Sequence, residues 1–228
     1  MATHLDLEEQ EQLEQLKHFW NQYGNLITWT LILVLGAFAA WNGWNYWQRE
    51  QSAKASVLYE EVDKAAQAGD VDMAQRAFDD VKERYPRTAY AAQAGLLAAK
   101  VLAEKGKPDA ARTALAWVSE KSSEAEYAAV ARLRLAGLLL DQKSYDEALK
   151  LLAAEMPKEF EALAADRRGD VYLAQGKKSE AQAEYEKAYK GLPATVDYRI
   201  LVEAKLTALG AAPASEPVPS ASTPVGQQ

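Results

Sequence analysis

The side chains best suited to chemistry are few in this chain. It has two histidines, His4 and His18, and no cysteine. Both histidines precede a long uncharged run that begins at Leu26, so neither joins a constellation in the residues after it. That excludes a Ser-His-Asp relay and a two-histidine metal site there. Lack of cysteine removes disulfides, thiolate metal sites and cysteine nucleophiles together. No glycine-rich phosphate loop is present. Adjacent carboxylates occur at Glu60-Glu61 and Asp79-Asp80, but on helices such pairs face solvent, and a glycosidase-like pair needs a cleft that the sequence does not indicate. A net charge of −7 argues against a nucleic-acid partner, whose phosphates require a basic surface. The expectation is a non-enzyme without cofactor or metal.

The elements that position everything else begin with Leu26 to Trp47, LITWTLILVLGAFAAWNGWNYW, which contains no Asp, Glu, Lys, Arg or His. As a helix it would be about 33 Å long, enough to cross a bilayer core of about 30 Å. Thr28 and Thr30 can bond back to their own helix. Trp20, Trp29, Trp41, Trp44 and Trp47 flank or cap the run, as interfacial aromatic belts do. A buried core helix would be shorter and would alternate with polar residues. A cleaved signal peptide would need a short cationic start, whereas residues 1–25 hold Asp6, Glu8, Glu9, Glu11 and Glu14 against Lys17. Its small-residue cleavage pattern, Ala37-Phe38-Ala39, also falls inside the run. The reading is an uncleaved transmembrane helix over 26–47.

Residues 1–25 read as an acidic amphipathic segment, helical over 5–23, with Leu13, Leu16 and Trp20 on one face and a break at Gly24-Asn25. That face either rests on the membrane surface or docks a partner. Beyond Trp47 the helical pattern resumes without a breaker until Gly69, with Leu58, Val62 and Ala65 available to start a core stripe.

Residues 48–210 then repeat. The turn positions Gly69, Gly106, Lys143 and Gly176 are spaced by 37, 37 and 33 residues. Five residues after each stands an alanine: Ala74, Ala111, Ala148 and Ala181. Four further on stands a large side chain: Phe78, Leu115, Leu152 and Tyr185. The last unit, with Gly169, Tyr172, Ala181, Tyr185, Ala188 and Pro193, resembles a tetratricopeptide repeat, and Pro86 takes the closing position in the first. Val62 and Ala99 depart from the pattern, standing where a glycine-like residue belongs. The predicted fold is all-α. A transmembrane helix precedes an α-solenoid of about four tetratricopeptide-like helix pairs, and a capping helix follows over 194–210. That helix would use Tyr198, Leu201, Leu206 and Leu209. Residues 211–228, rich in Pro, Ala and Ser, are expected to be disordered.

A stack of this kind has a concave groove lined by the first helix of each unit. Repeat register places Lys100 and Glu104, Leu133 and Leu140, and Asp166 and Asp170 in it. Mixed charge with leucine footing suits extended or amphipathic peptides, unless these side chains are merely solvated.

Several stretches carry a wider resemblance: EEQEQLEQLKHFWNQYGN, NYWQREQSAKAS and LKLLAAEMPKEFEALAADRRGDVYLAQG. In the last, Phe160, Ala164, Asp166, Arg168-Gly169-Asp170 and Gly176 follow the pattern. From residue 8 to about 209 the chain resembles the YfgM-like family, membrane-anchored tetratricopeptide proteins described as ancillary subunits of the SecYEG translocon. The resemblance implies a Gram-negative inner membrane, a cytoplasmic N-terminus and a periplasmic repeat domain. It further implies association with SecYEG and the membrane-anchored chaperone PpiD, and the handing on of exported polypeptides. Charge alone leans the other way, with Lys17 on one side of the span and Arg49 and Lys54 on the other. The residues leave a second reading open, a scaffold for envelope or division proteins that does not touch unfolded clients.

Overall fold

The computed structural model describes residues 7–212; His4 and the proline-rich segment from Pro213 onward lie outside the described residues. Among those residues nine helices occur and no strand. The chain divides into two compact units between Ala53 and Lys54.

The first unit is the leading part of α1, a helix spanning Leu7–Ala68. The expected break at Gly24-Asn25 is absent, because α1 runs through both residues. A glycine inside a helix costs only about 1 kcal/mol. At Gly24, moreover, the Trp20 indole lies close enough that an added Cβ would come within 3.1 Å of it. Thr28 Oγ1 donates to the Gly24 carbonyl at 2.7 Å, Thr30 Oγ1 to Leu26 at 2.8 Å, and Asn42 Nδ2 to Phe38 at 2.9 Å. These polar side chains are thus satisfied within their own helix, as a hydrocarbon environment requires. Leu26, Trp29, Leu33, Phe38 and Trp41 are all exposed in the protein alone. The helix is long and apolar enough to cross a membrane.

The second unit is built of helix pairs. The end of α1 is followed by α2 (Val71–Arg84); α3 (Ala89–Glu104) by α4 (Pro108–Lys121); α5 (Ala125–Asp141) by α6 (Tyr145–Leu152); and α7 (Lys158–Ala174) by α8 (Lys178–Gly191). Helix α9 (Tyr198–Ala208) closes the stack. Ala74, Ala111, Ala148 and Ala181 are wholly buried, and Phe78, Leu115, Leu152 and Tyr185 nearly or wholly so. Alanines at these contacts let helix axes approach, and the larger residue fills the gap. One face of each helix is therefore committed to its neighbours, since a single pair cannot bury its own apolar surface.

Every first helix ends in the same turn. Gly69, Gly106, Lys143, Gly176 and Gly210 have φ of 65°, 75°, 60°, 78° and 80°. The amide of the following residue donates back to a carbonyl five positions earlier, as from Lys107 to Leu102 at 2.8 Å and from Ser144 to Leu139 at 2.8 Å. This is the Schellman arrangement, which satisfies the last carbonyls of the helix and reverses the chain. Asp70 and Thr88 cap the starts of α2 and α3 with their side-chain oxygens. Pro86 and Pro193 stand just past the ends of α2 and α8, where restriction of the preceding residue stops a helix.

Two close approaches fix the packing of pairs. An added Cβ at Gly169 would come within 2.4 Å of the Tyr185 ring, so α7 can meet α8 there only without a side chain. Gly95 plays the same part in α3, with Val118 at 2.4 Å and Phe78 at 2.9 Å from such a Cβ. The last helix differs from expectation. It starts at Tyr198 rather than 194, and its buried residues are Val202 and Leu206, while Leu201 is exposed. At about 100° per residue, Val202 and Leu206 share one stripe that Leu201 does not.

Candidate functional site

The six residues assigned to the groove by repeat register fall into three places. Lys100 and Glu104 lie on the exposed side of α3, 3.9 Å apart, and border an open cleft of about 290 Å³. The cleft runs over α3, α5 and α7. Its floor is small and apolar at Ala99, Ala103 and Gly137, and its charged rim includes Arg134, Asp141 and Arg167.

Leu133 and Leu140 are half-buried and pack against the main apolar core instead of lining this cleft. On α5 the lining positions are Arg134, Gly137, Leu138 and Asp141. These recur at i, i+3, i+4 and i+7, one residue out of phase with the expected leucine stripe. A leucine at that boundary gains more from the core than from an open rim. The sequence signal for the α5 side of this cleft is the charged-small-apolar-charged spacing, which the leucines outweighed.

Asp166 and Asp170 are brought together and do not line the open cleft, although Arg167 on its rim reaches Asp170. Asp166 is only 1% exposed. Its carboxylate accepts hydrogen bonds from Lys205 Nζ, at 2.8 Å to each oxygen, and from Tyr198 Oη at 2.7 Å. Asp170 accepts from Lys205 at 2.7 Å, from Tyr185 Oη at 2.8 Å and from Arg167 at 3.3 Å. The placement of Asp166 in an accessible groove is thereby corrected: α9 covers it. Tyr198 and Lys205, which supply the cover, lie 32 and 39 positions later in the chain, so no local pattern announced them.

The electrostatics of this cluster are those of a closed joint. Two carboxylates meet Lys205 and Arg167, so the charges balance. Burial pushes the Tyr185 and Tyr198 phenols well above their ordinary range, and the neighbouring Asp170 and Asp166 carboxylates add to it. Both phenols therefore stay protonated and donate near neutral pH. Arg168 and Glu184 make a second joint between α7 and α8 at 2.7 Å, with Lys187 on the other Glu184 oxygen and the Leu152 carbonyl on Arg168. Burial opposes ionisation of Glu184, yet the hydrogen bonds from Lys187 and Arg168 prevail and lower its pKa. The cleft on α3, α5 and α7 is open to solvent.

Comparison with known proteins bears on what such a stack is for. A family model described as a tetratricopeptide repeat-like domain matches residues 17–211. A protein of Neisseria gonorrhoeae (strain ATCC 700825 / FA 1090) named "Ancillary SecYEG translocon subunit" is 32% identical over 213 residues, covering 92% of this chain and 100% of that protein. A protein of the same name from Haemophilus influenzae (strain ATCC 51907 / DSM 11121 / KW20 / Rd) is 32% identical over 100 residues, 43% of this chain and 48% of that one. A match along the full length of a relative includes the membrane-length helix as well as the repeats. The chain belongs to the tetratricopeptide repeat-like family of ancillary SecYEG translocon subunits, which is not a known enzyme family.

Proposed function

We propose that this protein is an inner-membrane-anchored ancillary subunit of the SecYEG translocon, with its N-terminus in the cytoplasm and its repeat domain in the periplasm. There it binds partner proteins, PpiD among them, and passes exported polypeptides to periplasmic chaperones. It works as a non-enzymatic binding module. One observation carries the reading: the match to a named ancillary subunit runs through the membrane-length helix and the whole repeat stack together.

The cleft over α3, α5 and α7 supports the binding part. Lys100, Arg134 and Arg167 stand beside Glu104 and Asp141 above a floor of alanine and glycine. Such a surface offers both signs of charge to an extended segment and room for its backbone, without a deep pocket to select one side chain. Contacts of this kind are weak. Apolar burial contributes about 25 cal/mol per Å², and ordering a flexible chain opposes it. Binding of unfolded segments is therefore expected to be micromolar or weaker, with little sequence preference.

The test is site-specific photocrosslinking in living cells, with the probe at Arg134 in the cleft and, separately, at Trp47 beside the membrane. Adducts with a translocon subunit from Trp47 and with nascent exported chains from Arg134 support the proposal. A reporter active only in the periplasm, fused after Gly210, should be active. Activity from a cytoplasm-dependent reporter alone would overturn the orientation. Partner adducts from Arg134 without any exported chain would favour a scaffold that holds folded proteins.

A further inference from the structure

Helix α5 carries three kinds of side chain at seven-residue intervals: Tyr127, Arg134 and Asp141. At that spacing they follow nearly one stripe of the helix, each about 10 Å from the next along its axis. Two of them reach the neighbouring helix α3. Tyr127 Oη accepts a hydrogen bond from Gln93 Nε2 at 2.6 Å, and Arg134 Nη1 donates to the Leu96 carbonyl at 3.3 Å. Arg134 and Asp141 border the open cleft and Tyr127 does not, so the stripe continues past the cleft toward the start of α5.

Around Tyr127 the surface is phenolic. The Tyr59 ring of α1 lies 5.8 Å from the Tyr90 ring of α3. Burial raises the Tyr59 pKa, and the nearby Asp63, Tyr127 and Tyr90 add to it, so the three phenols are neighbours. Each is half-buried, and Tyr59 and Tyr127 rest on the apolar core. No hydrogen bond joins the Tyr59 or Tyr90 hydroxyl to another described residue. Tyrosines so placed offer apolar rings to a side chain and hydroxyls to a passing backbone. The Arg134 end differs in charge. Among the described residues no carboxylate pairs with Arg134, whereas Arg167 and Lys100 on the same rim have Asp170 and Glu104.

We infer that this face holds one extended segment of an exported chain at two points: a large apolar side chain against Tyr59, Tyr90 and Tyr127, and an acidic side chain against Arg134. The inference rests on the reading of the cleft as a polypeptide site and narrows it, adding a subsite outside the cleft and a preference in charge. The spacing follows from geometry. Tyr127 and Arg134 are about 10 Å apart along α5. Unfolded chains populate polyproline II, which advances about 3.1 Å per residue with three residues per turn. Side chains three positions apart then stand on one face of the segment, about 9 Å apart, and meet both points. The charges decide which point takes the acid. Asp63 beside Tyr59 repels a carboxylate placed on the phenols, and Asp141 bounds the Arg134 point on its far side. An exposed ion pair and a half-buried ring each add little, so the preference is several-fold within otherwise loose recognition.

The test uses the full chain in lipid nanodiscs and short labelled peptides of Ala and Ser, read by fluorescence anisotropy. Two peptides carry a Phe and a Glu three positions apart, one in each chain order. Their controls replace the Glu by Gln, replace the Phe by Ser, or set the two side chains two positions apart. At least one order should bind about fivefold more tightly than each of its controls. Arg134→Gln should weaken that peptide about fivefold and level it with its Gln control. Tyr90→Ala should level it with its Ser control, and Tyr127→Leu, which keeps an apolar side chain on the core, serves as a second variant at that point. Equal binding of the Glu and Gln peptides, or a Glu preference that survives Arg134→Gln, overturns the inference. A Phe preference that survives both tyrosine variants overturns it as well. Reduced, carboxymethylated lactalbumin, an unfolded chain, separates this failure from that of the underlying reading. If it binds while all the peptides bind alike, the inference falls and the cleft remains a polypeptide site. If neither it nor any peptide binds, both fall.

Discussion

Lys205 Nζ sits 2.8 Å from both carboxylate oxygens of Asp166, a residue 1% exposed on a helix two elements earlier. The pair joins α9 to α7 and carries Tyr198 and Asp170 with it. Removing one partner of a buried pair leaves the other charged and uncompensated, which costs about 3–5 kcal/mol. Lys205→Met strands the buried Asp166 carboxylate and should therefore lower the unfolding free energy of the full chain by that order, with Asp166→Ala less harmful because Lys205 keeps Asp170 and is nearer the surface. An unchanged denaturant midpoint for Lys205→Met would show that the joint adds no stability.

The two raised phenols make a prediction about alkaline pH. In the unfolded chain a tyrosine loses its proton near pH 10, while Tyr185 and Tyr198 hold theirs to higher pH in the fold. Above that pH the unfolded state binds fewer protons, so stability contributed by these groups is full below about pH 10 and falls as pH rises further. Tyr185→Phe and Tyr198→Phe should each make the alkaline decline shallower than in the wild type. Parallel stability curves across pH 9–11 would contradict the burial of these hydroxyls.

Two glycines on first helices should answer oppositely to the same change. Gly169→Ala drives a Cβ into the Tyr185 ring and should cost about 1–3 kcal/mol. At Gly137 the nearest atoms are at 3.9 Å, an ordinary contact. Gly137→Ala should stabilise α5 by about 0.5–1 kcal/mol. Thermal melting of both variants checks the pair, and equal shifts would refute the close approach of α7 and α8.

Lys143 is the non-glycine residue with positive φ among the described residues, at 60°. The left-handed region costs an L-residue about 1–2 kcal/mol, partly offset by the greater freedom that glycine loses on folding. Lys143→Gly should raise stability by about 0.5–1 kcal/mol without altering binding in the cleft. A lower melting temperature would mean that the Lys143 side chain makes a contribution its exposed position does not reveal.

What the sequence determined by itself was whatever depends on near neighbours along the chain. An uncharged run from Leu26 to Trp47 can satisfy its backbone only as a helix and can face lipid. Registered turns at Gly69, Gly106, Lys143 and Gly176, each followed by a buried alanine, specify helix pairs. Those turns are local hydrogen-bonded loops, so their signal is complete within about six residues, and it survived even at Lys143, where the residue type argues against it. The boundary at Gly24-Asn25 was misread because the helix there is held by Trp20 and Thr28, whose contacts outweigh a glycine's small intrinsic cost.

The tertiary structure decided which way each helix faces its neighbours. Leu133 and Leu140 went to the core and left Arg134, Gly137, Leu138 and Asp141 to the cleft, because a rotation of about 100° per residue turns a one-position difference into a different face. Asp166 became a buried joint only when α9 arrived with Tyr198 and Lys205, more than thirty residues downstream. Gly95 and Gly169 took their roles from side chains on the opposite helix. Burial, charge pairing and close approach depend on segments distant in sequence, and only the packed stack brings those together.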